Sequence, residues 1–150
     1  MLAWATRADT AFSALPFAAA KALWSTEPMK AKAWPLSTAL TNSVPAVAEA
    51  QVAGAGLAGY FHAVISADTV RHLKPAPQPY QEVARASGVA IDQVRLVAAH
   101  SWDVSGALSA GCRAAFVARP GMVLSPLGEQ PDIIGPDLAA VTEQIIAVDA

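Results

Sequence analysis

Three short polar motifs carry the residue types from which a hydrolytic site is built: Leu40-Thr41-Asn42-Ser43, Leu73-Lys74-Pro75 and His100-Ser101-Trp102-Asp103. A hydroxyl and amide pair offers donors to oxygen atoms, a lysine offers a cation, and a carboxylate offers an acceptor or a base. No clear apolar strand ending in an acidic nucleophile precedes them, so the group for a covalent step is not legible. Taken one at a time, each motif also has a plainer reading. Thr41-Asn42-Ser43 would cap the next helix, Lys74 would be an ordinary loop lysine, and His100 would be a satisfied histidine at a strand edge. Asp103 would be a first-turn carboxylate stabilised by the helix dipole.

The elements that must position these motifs follow from the hydropathy pattern. From Leu36 onward, short apolar runs alternate with helical stretches, as in parallel βαβ units. Strands are predicted at Leu36 to Leu40, Phe61 to Ser66, Val94 to Ala99, Ala114 to Ala118 and Pro131 to Ile134. Helices are predicted from Pro45 to Ala55 with Gly56 as the stop, from Pro79 to Ser87 stopped by Gly88, from Val104 to Ala110, and from Leu138 to Val148. All three motifs then fall in loops at one edge of the sheet, and His100 to Asp103 stands at the carboxyl end of the clearest buried strand. Ligands bind outside that edge of an open parallel sheet.

Composition narrows the class. A chain of 150 residues with 54% hydrophobic and 15% charged residues is long enough for one buried core. A net charge of −2 with scattered lysines and arginines argues against nucleic acid as a partner. No apolar run reaches the roughly 18 residues of a membrane span, so no membrane partner is expected, and the expectation is a cytoplasmic chain. Cys112 stands alone among small apolar residues and reads as a buried thiol in a reducing compartment.

The combination of motifs resembles the haloacid dehalogenase superfamily, and His100-Ser101-Trp102-Asp103-Val104, the Lys74-Pro75 loop followed by Tyr80, and Leu40-Thr41-Asn42-Ser43 resemble its 2-haloacid dehalogenase branch. The resemblance covers about Leu36 to Val148. It implies a Rossmann-like α/β fold, a parallel sheet with flanking helices, and hydrolysis of the carbon–halogen bond of short anionic 2-haloacids through an aspartyl ester, as in an (S)-2-haloacid dehalogenase. It also implies roles. Thr41 and Asn42 would hold oxygens of the substrate or nucleophile, Lys74 would be the fixed cation, and Asp103 would pair with it and help place water. Tyr80 would be a second partner of Lys74, His100 would position water or line the site, and Trp102 would pack rather than react. No cofactor and no metal are implied, because the position four before Asp103 is Ala99 where phosphatase relatives carry a second acid for Mg²⁺. Homodimerisation, known in the family, is a further expectation.

Both the dehalogenase and the phosphatase route need an aspartate at the end of a first, central strand, followed by a helical cap. Only 40 residues precede Thr41. Asp9 is the local candidate, yet Trp4-Ala5-Thr6-Arg7-Ala8 is a weak strand with Arg7 where an apolar residue belongs. The expected organisation is therefore an irregular or helical segment over 1–35, a remnant of a cap, and a core over 36–150 that is truncated at its N-terminal side. A catalytically inactive fragment of the same fold is the alternative to an enzyme. Loss of the central strand would leave two open sheet edges, whose buried unpaired groups cost about 1 to 3 kcal/mol each.

Overall fold

The computed structural model describes the backbone of residues 2–5 and the whole of residues 36–149. Six strands form one sheet: β1 (Leu2–Ala5), β2 (Leu36–Thr41), β3 (Ala63–Ser66), β4 (Val94–Ala98), β5 (Arg113–Val117) and β6 (Ile133–Gly135). Helices α1 (Pro45–Gly54), α2 (Pro77–Ser87), α3 (Ser101–Ser109) and α4 (Leu138–Asp149) connect or follow them. The strand order is β3-β2-β1-β4-β5-β6, and β2–β3, β4–β5 and β5–β6 pair in parallel.

The exception lies in the middle. β1 pairs antiparallel with both neighbours, Leu2 opposite Ala39 and Val97, and Ala5 opposite Leu36 and Val94. It occupies the gap that two open edges would otherwise leave, and its ladder pairs backbone groups of β2 and β4 that would have no water to bond. Its direction has a topological consequence. The carboxyl end of β1 lies beside the starts of β2 and β4, the edge opposite to the three polar motifs. Asp9 and the remainder of the expected N-terminal segment fall outside the described residues.

Helix boundaries follow local chemistry. α2 begins two residues before the expected start because Pro77 fits the first turn, where no N–H is needed. It stops at Gly88, whose φ of 67° places it in the left-handed region while its N–H returns to Arg85. α3 begins at Ser101 rather than Val104. His100 keeps an extended backbone and its carbonyl accepts the N–H groups of Asp103 and Val104, so the polar motif forms the first turn of a helix instead of a loop. β3 starts at Ala63 rather than Phe61, because a short 3-10 turn at Ala58–Tyr60 precedes it.

Two apolar clusters hold the layers together. Leu40, Leu96, Ala98 and Phe116 from the sheet pack with Tyr80 and Val83 of α2 and Val104 and Ala107 of α3. Val97, Ala115, Val117 and Ile133 pack with Val141 and Ile145 of α4. The alternation along β4, with Leu96 in the first cluster and Val97 in the second, shows a strand buried on both faces. Cys112 belongs to the first cluster, and burial pushes its thiol up to about 12.

Candidate active site

Three of the sequence candidates meet at the carboxyl edge of the sheet. Lys74 lies in the loop between β3 and α2, Tyr80 in the first turns of α2, and Asp103 in the first turn of α3. All are buried, with 4% of Lys74 and none of Asp103 exposed. Lys74 Nζ donates to Asp103 Oδ2 at 3.3 Å and to the carbonyl of Leu40 at 3.0 Å. The Tyr80 hydroxyl donates to Asp103 Oδ1 at 2.6 Å and lies 3.2 Å from the Asp103 carbonyl. Each carboxylate oxygen of Asp103 thus has its own donor. Tyr80 was expected as a partner of Lys74; its hydrogen bond goes instead to Asp103, which joins the two.

Asn42 acts on the lysine from the other side. Its Oδ1 accepts the Lys74 N–H at 2.9 Å, and its Nδ2 donates to the Lys74 carbonyl at 3.2 Å. This two-point clasp fixes the backbone of the loop whose next peptide, Lys74-Pro75, is cis. The capping reading of the motif fails, because α1 is preceded by Val44 and no side chain caps it. Thr41 shapes its own turn: its hydroxyl accepts the Ser43 N–H at 3.1 Å and donates to Ser43 Oγ at 3.3 Å. Ser66, which drew no attention in the sequence, fastens that turn to the end of β3 by donating to the Ser43 carbonyl at 2.6 Å. Its only sequence signal is a serine at a strand end before Asp68, whose N–H it also accepts.

His100 stands at the rim. Its ring lies 5.9 Å from that of Trp102, tilted by 37°, and among the described residues its side chain makes no hydrogen bond to Lys74, Tyr80 or Asp103. Trp102 was expected to pack; it is 45% exposed, since the first turn of α3 turns it away from the sheet while Asp103 and Val104 turn inward.

The electrostatics of the site are unbalanced. Burial pulls Lys74 below the ordinary lysine value, and the charge and hydrogen bond of Asp103 only partly offset it. Burial, then the hydrogen bond to Asp103 and its charge, push Tyr80 above the ordinary phenol value, so it remains a donor at neutral pH. Among the described residues, the carboxylate beside this buried cation is that of Asp103, at the carboxyl edge of the sheet. Among the described residues, the donor set does not suit a magnesium ion. Both oxygens of Asp103 are engaged, one by an ammonium that a divalent cation would have to displace, and Ala99 supplies none.

Known proteins share this arrangement of chain. The (S)-2-haloacid dehalogenase of Xanthobacter autotrophicus is 42% identical over 80 residues, 53% of this chain and 32% of that protein. The fructose-1-phosphate phosphatase YqaB of Escherichia coli is 39% identical over 77 residues, 51% of this chain and 41% of that one. Among solved structures, the L-2-haloacid dehalogenase of Xanthobacter autotrophicus with chloropropionic acid covalently bound superposes with a TM-score of 0.69 at 31% identity, over 75% of this chain and 55% of that one. This chain spans less than half the length of these two curated relatives. No helix among the described residues is long and apolar enough to cross a membrane. Since residues 29–117, more than half of its length, match the model of the haloacid dehalogenase-like hydrolases, the chain belongs to that family.

Proposed function

We propose that residues 36–150 carry the supporting half of a 2-haloacid dehalogenase site, acting on short (S)-2-haloacids. In this reaction an aspartate carboxylate displaces halide from C2, forming an ester, and water then attacks the ester carbonyl to release the 2-hydroxy acid and restore the aspartate. In this reading the Lys74 ammonium stabilises the negative charge of the nucleophile and of the substrate carboxylate, and Asn42 holds the lysine in place. Asp103 orients Lys74 and the hydrolytic water, Tyr80 fixes Asp103, and Thr41 and His100 border the substrate. The reading includes a cytoplasmic, homodimeric protein and requires a nucleophilic aspartate, for which Asp9 is the local candidate in the sequence.

The observation that carries it is the buried Lys74–Asp103–Tyr80 cluster at the carboxyl edge, which among the described residues holds one carboxylate and no second acid for a metal. That donor set favours the metal-free dehalogenase reaction over phosphate-monoester hydrolysis, although phosphatases are among the relatives. A second reading, a fold that binds a small anion without turning it over, is favoured by the antiparallel course of β1, which carries its carboxyl end away from the cluster. Halide release from 2-chloropropionate separates the two when the purified chain is assayed beside Asp9→Asn. Release that disappears in the variant supports the dehalogenase; no release from either leaves the inactive fold.

A further inference from the structure

Gly106 lies in the interior of α3, where glycine is the poorest ordinary helix former, and it is buried. A Cβ placed on it would meet Pro75 Cβ at 2.6 Å, the Tyr80 hydroxyl oxygen at 2.7 Å and the Pro75 carbonyl oxygen at 2.9 Å. These are not incidental neighbours. Pro75 directly follows Lys74, and the Tyr80 hydroxyl is the atom that holds Asp103 Oδ1 at 2.6 Å. Asp103 and Gly106, three residues apart, share one face of α3. The missing side chain therefore sits where the lysine loop, α2 and α3 come closest.

We propose that Gly106 is a positioning residue for the Lys74–Asp103–Tyr80 cluster: by offering no Cβ it lets the Lys74-Pro75 loop and the Tyr80 hydroxyl close onto α3, which sets the Tyr80–Asp103 hydrogen bond. A methyl at 106 therefore needs both the Pro75 loop and the Tyr80 hydroxyl to draw back from α3, which takes the hydroxyl away from Asp103 Oδ1. The site would then lose the donor to Asp103 Oδ1 while α3 itself, relieved of a helix-interior glycine, gains in local propensity. The proposal rests on the cluster being the working site. Its test is read without substrate, so its outcome is independent of whether the chain releases halide.

Tyr60 and Tyr80 are the two tyrosines of the chain, so a Tyr60→Phe background leaves Tyr80 as the sole phenol. Alkaline titration followed by tyrosinate absorbance, with circular dichroism recorded on the same samples, compares this background with and without Gly106→Ala. The expected result is that Tyr80 stays un-ionised until the fold is lost when Gly106 is present. With alanine it ionises about one pH unit or more earlier, while the dichroism is still native. Native dichroism with unchanged Tyr80 ionisation overturns the proposal. If Gly106→Ala fails to fold, the same substitution is made together with Tyr80→Phe, which removes the hydroxyl. Recovery of the fold in that combination supports the proposal, and failure of both overturns it, leaving Gly106 as a packing contact with Pro75 alone.

Discussion

Two buried cations lie at opposite edges of the same sheet, and they are solved differently. At the edge where β4 begins, Arg95 is 1% exposed and faces the α4 side. Its five N–H groups all have acceptors: Asp149 through Nε at 2.6 Å and Nη2 at 2.9 Å, Asp132 through Nη1 at 2.5 Å and Nη2 at 2.9 Å, and the Ala114 carbonyl at 3.2 Å. Burial pulls Arg95 down, yet the hydrogen bonds and charges of Asp149 and Asp132 outweigh it and leave the guanidinium above its ordinary value. At the other edge the carboxylate that faces Lys74 among the described residues is that of Asp103, and burial outweighs it. The Arg95 cluster ties α4 to the sheet through two carboxylates, while in the Lys74 cluster burial outweighs the pull of Asp103.

The comparison breaks most sharply in activity. In a chain that releases halide, Lys74→Met is expected to lower the rate by about 10²- to 10⁴-fold, whereas Arg95→Met leaves the rate per folded molecule within about tenfold, measured as steady-state halide release. Equal losses in both would abolish the distinction. Stability should reverse the ranking. Arg95→Met strands two carboxylates and is expected to lower the unfolding free energy by about 3 to 5 kcal/mol in urea titrations, more than Lys74→Met does. Tyr80→Phe removes one hydrogen bond to a carboxylate and should cost about 1.5 to 3 kcal/mol by the same measurement.

The pH dependence sharpens the contrast further. The Arg95 hydrogen bond is the main reason Asp132 is held below the ordinary carboxylate value, so the unfolded chain binds more protons between the two values. Its stabilisation is therefore full above the ordinary value and disappears as pH falls through the lowered one, and Asp132→Asn should flatten this acid limb of unfolding midpoints. Lys74 is also lowered, so again the unfolded chain binds more protons in the interval, and stability rises as pH climbs from the lowered value toward about 10.4. Here, however, the charged form is the unfavourable one, and Lys74→Met should remove the alkaline rise. An alkaline rise that persists in Lys74→Met would place its origin elsewhere.

Much of the arrangement was legible before any coordinates. β2, β4, β5 and the core of each helix followed from apolar runs and from glycine and proline stops. The convergence of Lys74 with Asp103 followed from parallel strands, whose connecting loops share an edge. Arg95 was not legible, because an arginine in an apolar strand reads as a departure from the pattern until Asp132 and Asp149, 37 and 54 residues away, are brought to it. Gly106 drew no attention in the sequence, since nothing local announces that Pro75 and Tyr80 approach it.

The α/β class, the edge at which the polar motifs gather and the family they point to could be read from the chain alone, because these depend on periodicity and on residues adjacent in the chain. It took the packed fold to show that Asn42 clasps Lys74 rather than capping a helix, that Tyr80 serves Asp103, and that β1 fills the centre of the sheet against the direction of its neighbours. The physical reason is the same in each case. A hydrogen bond between distant residues, or the sense in which a short strand pairs, is set by which partners the packed layers bring within about 3 Å, and no local pattern encodes that.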